Sequence, residues 1–391
     1  MLHPARTLKA PPEREHVITN ARVVTGSEVV HGTVAIRNGT ILGVSAGNSL
    51  VPDRTDLEGD LLLPGLIEMH TDNLEKHLLP RPGVEWPSAL TALLAHDVQI
   101  IGSGITTVLD SIFVGEYEPG TNRTELLEKS IAAIKTGTQH GFLRAEHLLH
   151  LRCEYPDAQV LALLLPYADE SILRLVSLMD HTPGQRQWMD LSKWRKYHEK
   201  DGWTAQEAET VLRRRKAMQQ EYATNHREQI LAICRKRNLP VASHDDTLAA
   251  HVVEGAEQGV SIAEFPTTME AARTAHEMGL FVIMGAPNLV RGGSHSGNIS
   301  AGELAGEGLL DGLSSDYAPK SLLHASMILH QKYGYSLPDA VATVSMNIAH
   351  MLQFSDRGEI APGKRADLIR VRLLDGIPVI RTVWRQGQRI I

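Results

Sequence analysis

The chain has 391 residues, with 39 Lys and Arg against 46 Asp and Glu, a formal net charge of −7, and 42% hydrophobic residues. That length holds one large domain and a smaller one, and the negative balance argues against nucleic acid as a partner recognised through overall charge. The two cysteines, Cys153 and Cys234, exclude a disulfide framework and a Cys-rich zinc site, and they suit a reducing, cytoplasmic setting.

Residues 1–16 read as a flexible polar leader without the apolar core of a signal peptide. No run of about 18 uncharged apolar residues follows, so no membrane partner is expected. From 17 to 62 the chain reads as short strands punctuated by Asn-Gly and Gly-Ser turns, and 358–391 has the same texture. Two β-rich ends around a different middle predict one small β domain, a sandwich, built from both termini. Residues 63–357 alternate strand and helix. The strands are expected at 66–72, 105–111, 147–154, 174–181, 240–246, 260–266, 280–287 and 312–317, with an amphipathic helix at 88–102. Thr204 with Glu207 and Thr267 with Glu270 have the spacing of capping boxes. Eight strands joined by helices predict an α/β fold of the (β/α)8 TIM-barrel type. The competing open doubly wound sheet lacks its glycine fingerprint. Residues 183–236 form a helical insertion placed where a lid would be, and its Arg-Arg-Arg-Lys run reads as a solvated helix face.

A barrel places functional groups at the C-terminal ends of its strands. The first strand ends in His70 and Asp72, the third in Glu154, the fourth in Asp180 and His181. The fifth ends in His244, Asp245 and Asp246, and the eighth in Asp316. A lone histidine at a strand end is usually structural. Imidazoles and carboxylates at five of eight ends point instead to a divalent metal site of mixed nitrogen and oxygen donors. Asp110 and Glu264, at the ends of the second and sixth strands, are left open. His147 and His150 divide between a supporting and an outward role.

The stretch Leu-Leu-Leu-Pro-Gly-Leu-Ile-Glu-Met-His-Thr-Asp at 61–72 and the segment Gly-Glu-Ile-Ala-Pro-Gly-Lys-Arg-Ala-Asp-Leu at 358–368 resemble the amidohydrolase superfamily. Further stretches narrow the likeness: Ser-Leu-Met-Asp-His-Thr-Pro-Gly-Gln-Arg at 177–186, Ser-His-Asp-Asp at 243–246 and Met-Gly-Ala-Pro-Asn-Leu-Val-Arg-Gly-Gly-Ser-His-Ser-Gly-Asn at 284–298. They resemble the ribose 1-alkylphosphonate 5-triphosphate diphosphatases of the carbon–phosphorus lyase pathway. The resemblance implies one or two divalent ions, zinc or manganese, held by His70, Asp72, Glu154, His181, His244 and Asp316. It also implies Asp316 as the base that takes a proton from water. Many superfamily members bridge two metals with a carboxylated lysine. No lysine stands at these strand ends, so Glu154 is the expected replacement, with Glu146 as the alternative.

The implied partner is a small polyphosphorylated ribose phosphonate, which requires cations near the barrel mouth. Lys76, Arg81, Arg186 and Arg291 are the expected ones. Around Arg291, the backbone and side chains of Gly292, Gly293, Ser294 and His295 form an expected phosphate loop. Two other readings compete: cyclic amide hydrolysis or deamination, which needs no such cations, and a non-catalytic scaffold, which would not keep the strand-end groups. Oligomerisation with further copies of the chain is left open.

Overall fold

The computed structural model describes residues 15–116, 122–198, 203–294 and 297–391. All but the last two residues of the expected leader lie outside them. The N-terminal strands are β1 (Glu15–Val24), β2 (Val29–Arg37), β3 (Thr40–Ala46), β4 (Thr55–Asp56) and β5 (Leu61–Pro64). The barrel strands follow: β6 (Leu66–Thr71), β7 (Ile105–Val114), β8 (Glu146–Glu154), β9 (Leu173–Met179), β10 (Val241–His244), β11 (Ile262–Glu264), β12 (Phe281–Gly285) and β13 (Gly312–Ser314). The chain closes with β14 (Leu368–Leu374), β15 (Ile377–Arg385) and β16 (Gln388–Arg389).

Both termini enter one connected sheet, in the order β16-β15-β14-β5-β1-β2-β3, with β4 beside β1. β5 lies between the two ends of the chain, antiparallel to β14 and parallel to β1. Alternate apolar residues of these strands, among them Ile18, Val23, Val34, Leu62, Leu368 and Trp384, gather in a single core separate from that of the barrel. The step from β5 into β6 needs a glycine. A Cβ on Gly65 would come within 2.3 Å of Thr106 Oγ1.

The eight barrel strands are parallel and paired in chain order from β6 to β13. A parallel bridge between Thr71 and Asp316 joins the first strand to the end of the eighth. The buried carboxylate of Glu68 strengthens that seam by accepting the backbone N–H groups of His70 and Ser315 at 2.7 and 2.6 Å. Burial pushes its pKa up to about 7. The barrel interior away from the mouth is filled by Ile67, Leu109, Leu148, Leu175, Ala242, Ile262 and Ile283, one residue from each of seven strands. Their apolar packing leaves the polar strand ends as the part of the interior open to solutes.

The helices up to the fifth barrel strand are α1 (Asn73–Leu78), α2 (Ala89–Gly102), α3 (Arg123–Gln139), α4 (Val160–Leu164), α5 (Leu191–His198) and α6 (Ala205–Arg237). Ser88 caps α2, and the Thr204–Glu207 box opens α6 as predicted. The box expected at Thr267 shifts by one residue, because Thr268 is the cap of the following helix and accepts Ala271 N–H. The predicted insertion contains α5 and α6. Trp194 anchors α5 by complete burial. No described helix is long and apolar enough to cross a membrane.

Candidate active site

A β-bulge in β6 between Glu68 and Thr71 sets the site up. Bulges re-aim side chains at strand ends. Here Met69 packs in the apolar barrel interior while the adjacent His70 lines the cavity at its mouth. His70 Nδ1 lies 2.7 Å from Glu264 Oε1, and both groups are buried. With Nδ1–H donating to that carboxylate, Nε2 is left as an acceptor. Burial opposes the charged imidazole, but Glu264 outweighs it and raises the His70 pKa. Glu264 also accepts Ser177 Oγ–H at 2.7 Å, and its own pKa is held well below the carboxylate range by His70 and His150 despite burial.

Glu154, the last residue of β8, accepts both the backbone N–H of His181, just past β9, at 2.7 Å and its ring Nδ1–H at 2.5 Å. Glu154 thus aims His181, and it is buried behind the residues that line the cavity. Its oxygens are drawn to the donors of the neighbouring strand end. His181 Nε2 faces Asp245 Oδ2 at 3.8 Å. Against burial, the carboxylates of Glu154 and Asp245 push the His181 pKa up to about 10. His181, His244 and Asp245 each offer one donor atom within 4.8 Å of the others. His244 Nδ1 and Asp245 Oδ2 are 2.9 Å apart, yet neither atom makes a hydrogen bond, and His244 Nε2 and Asp72 Oδ1 are likewise buried without a partner. Buried polar atoms without partners are rare, and donor atoms that approach one another without bonding suit a shared cation. Asp316 lies beside Asp72. Burial first, then the Asp72 charge, raises its pKa.

Three strand ends leave the barrel through non-glycine residues in the left-handed region: Asp245 at φ 60°, Phe265 at φ 58° and Asp316 at φ 52°. Such backbone costs about 1–2 kcal/mol per residue, and here it sits at the mouth of a cavity. That cavity, of 1150 Å³, is lined by His70, Asp72, His181, His244, Asp245 and Asp316. Seven cationic side chains share its wall: Lys76, Arg123, Arg152, Lys193, Lys196, Arg215 and Arg291.

The expected anion contacts divide. Lys76, Arg291 and Ser294 line the cavity. Lys76 Nζ donates to Tyr317 O at 2.7 Å and lies 4.5 Å over the Tyr317 ring. Arg81 is exposed in a turn outside the cavity lining. Arg186 is a correction: it is buried, its guanidinium pairs with Asp246, and it takes no part in the cavity wall. Gly292 and Gly293 are a second correction. Their N–H groups donate to Leu289 O and Asn288 O, capping the helix that ends at Arg291, so those donors are not offered to a phosphate. His295 lies outside the described residues. The Arg-Arg-Arg-Lys run is solvated at Arg213, Arg214 and Lys216, but Arg215 turns inward to the cavity. Glu146 pairs with Arg357 and Arg365, away from the mouth.

Sequence reasoning missed Arg152 and left Glu264 and Asp245 without a committed role. Asp245 had a signal in Ser-His-Asp-Asp. Arg152 shares a strand face with Glu154, two residues on. His150, on the same face, is fixed by Met69 O and Ser177 Oγ and lowered by burial to a pKa of about 3. His147 and Asp110 belong to another buried network. Asp110 bridges His147 Nδ1 at 2.7 Å and His96 Nε2 at 2.8 Å, and Asn73 Nδ2 donates to His96 Nδ1 at 3.0 Å. That network ties α2 to the residue following Asp72.

A closed parallel barrel with imidazoles and carboxylates converging at its mouth is the architecture of a metal-dependent barrel hydrolase. The amidohydrolase family profile matches residues 61–390. The chain belongs to the amidohydrolase family. It is 47% identical over 377 residues to the alpha-D-ribose 1-methylphosphonate 5-triphosphate diphosphatase of Escherichia coli strain K12, covering 96% of this chain and 100% of that protein. Solved structures share the fold at low identity. N-acetylglucosamine-6-phosphate deacetylase from Pasteurella multocida aligns with TM-score 0.63 at 12% identity, over 96% of this chain and 100% of that one. 5-Methylcytosine deaminase from Klebsiella pneumoniae aligns with TM-score 0.64 at 14% identity, over 96% and 97%.

Proposed function

We propose that this chain hydrolyses ribose 1-methylphosphonate 5-triphosphate to ribose 1-methylphosphonate 5-phosphate and pyrophosphate. The 47% identity to a diphosphatase along nearly the whole chain supports this reading. The observation that carries it is the wall of seven cations on a cavity whose floor is imidazole and carboxylate, in a chain of net charge −7. A neutral cyclic amide would need the floor without the wall.

His70, Asp72, His181, His244, Asp245 and Asp316 would hold one or two divalent cations, zinc or manganese, with Glu264 and Glu154 fixing the tautomers of His70 and His181. Such a cation, when bound, acidifies water towards neutral pH and offsets charge on phosphoryl oxygens. Asp316, at the end of the last barrel strand beside Asp72, accepts the proton of the water that attacks phosphorus. The cations of the rim, Lys76, Lys193, Lys196 and Arg291, hold the polyphosphate and lower the charge on the departing pyrophosphate. The metal-loaded protein is expected to release pyrophosphate from the triphosphate substrate. Release of monophosphate would move the cut to the terminal phosphate, and no release would overturn the reading.

A further inference from the structure

Arg152 occupies a position unlike that of the other cavity cations. It stands on β8, two residues after His150 and two before Glu154, with Phe113 and Ser177 beside it in register on the adjoining strands. It is half-buried, it lines the cavity with His70, His244 and Asp316, and its Nε is sealed from solvent without a hydrogen bond. Among the described residues no carboxylate forms an ion pair with it. The acids within its layer are committed elsewhere: Glu154 to the backbone and ring of His181, Glu264 to His70 and Ser177. A guanidinium taken partly out of water without a counter-ion is costly, and its fork of donors matches two oxygens of one phosphoryl group. Lys193, Lys196 and Arg291, by contrast, are exposed at the rim.

We infer that Arg152 is a catalytic residue, binding two non-bridging oxygens of the phosphoryl group under attack. The inference rests on the proposed hydrolysis. Water oxygen forms a bond to phosphorus and gives its proton to Asp316. The bond from phosphorus to the bridging oxygen breaks, and its electron pair leaves with pyrophosphate. Arg152 remains protonated throughout and offsets charge that spreads over the equatorial oxygens.

The test compares wild type with Arg152→Lys, Arg152→Gln and Arg152→Ala as metal-loaded enzymes. Arg152→Gln is expected to lose about 10²–10³-fold in kcat, as when one transition-state donor is removed, with metal content and KM little changed. Arg152→Lys should recover part of that loss, and added guanidinium at tens of millimolar should restore part of the Arg152→Ala rate. A kcat within about threefold of wild type in Arg152→Gln, or an Arg152→Ala enzyme that keeps its metal yet gains nothing from guanidinium, overturns the assignment. Orthovanadate binding supplies an arm independent of the substrate: Arg152→Gln should bind it at least about tenfold more weakly. If wild type releases no pyrophosphate, the hydrolysis reading fails, and the vanadate comparison still decides whether Arg152 reads a phosphoryl group.

Discussion

Glu264→Gln isolates the part of the site that orients rather than ligates. Glu264 is fully buried, and its two oxygens are 2.7 Å from His70 Nδ1 and 2.7 Å from Ser177 Oγ. The substitution keeps volume and one acceptor but removes the charge that holds the Nδ1–H tautomer, and it turns an amide NH2 toward one of the two partners. Removing a group that orients a metal-binding imidazole typically weakens the metal about 10–100-fold, which is about 1.4–2.7 kcal/mol. The same buried pair stabilises the metal-free protein. Leaving His70 with a poorer acceptor is therefore expected to cost about 1–3 kcal/mol as well. The measurement is a competitive chelator titration with zinc and with manganese, alongside thermal unfolding of the metal-free proteins. A variant that folds and binds both metals within about twofold of wild type refutes the role assigned to Glu264 and, with it, the orientation of His70.

Asp316→Asn should keep most of the metal while pyrophosphate release falls by about 10²–10⁴-fold, as expected for loss of a general base; near wild-type turnover sinks that role. Lys193→Gln combined with Lys196→Gln should raise KM about three- to thirtyfold, from two exposed charge contacts of about 0.3–1 kcal/mol each. In the same assay kcat should hold and KM should lose part of its salt dependence. The buried His147–Asp110 pair predicts a pH effect on stability. Against burial, Asp110 and Asp97 push His147 up to about 9, and His147 with His96 holds Asp110 down to about 2. The His147 contribution is complete below the unfolded pKa of about 6.5 and is lost as pH rises through about 9. The Asp110 contribution is present above the usual carboxylate range and is lost on acidification toward pH 2. Calorimetry from pH 6 to 10 should show the wild-type Tm falling more steeply than that of Asp110→Asn. Parallel curves would contradict the charged pairing.

All eight barrel strands, the β domain joined from both termini, and the placing of His70, Asp72, His181, His244 and Asp316 at one mouth were legible in the sequence, because each depends on local periodicity. The parallel barrel then converts strand ends into neighbours whatever their distance in sequence. What the sequence could not rank was which charges would face one another. Arg186 follows a ligand-bearing strand but turns back to Asp246, whereas Arg152, one of many arginines in the text of the chain, emerges at the cavity without an acid partner among the described residues. Glycines 292 and 293 read as a phosphate loop until the preceding helix claimed their N–H groups. Glu154 read as a strand-end carboxylate, and the packed barrel sets it 2.5 Å from the ring of His181. In each case the deciding partner arrives from another strand or from a helix end, or fails to arrive at all. Periodicity fixes which residues reach the mouth; only the packed barrel decides which of their charges are already satisfied there and which remain for a ligand.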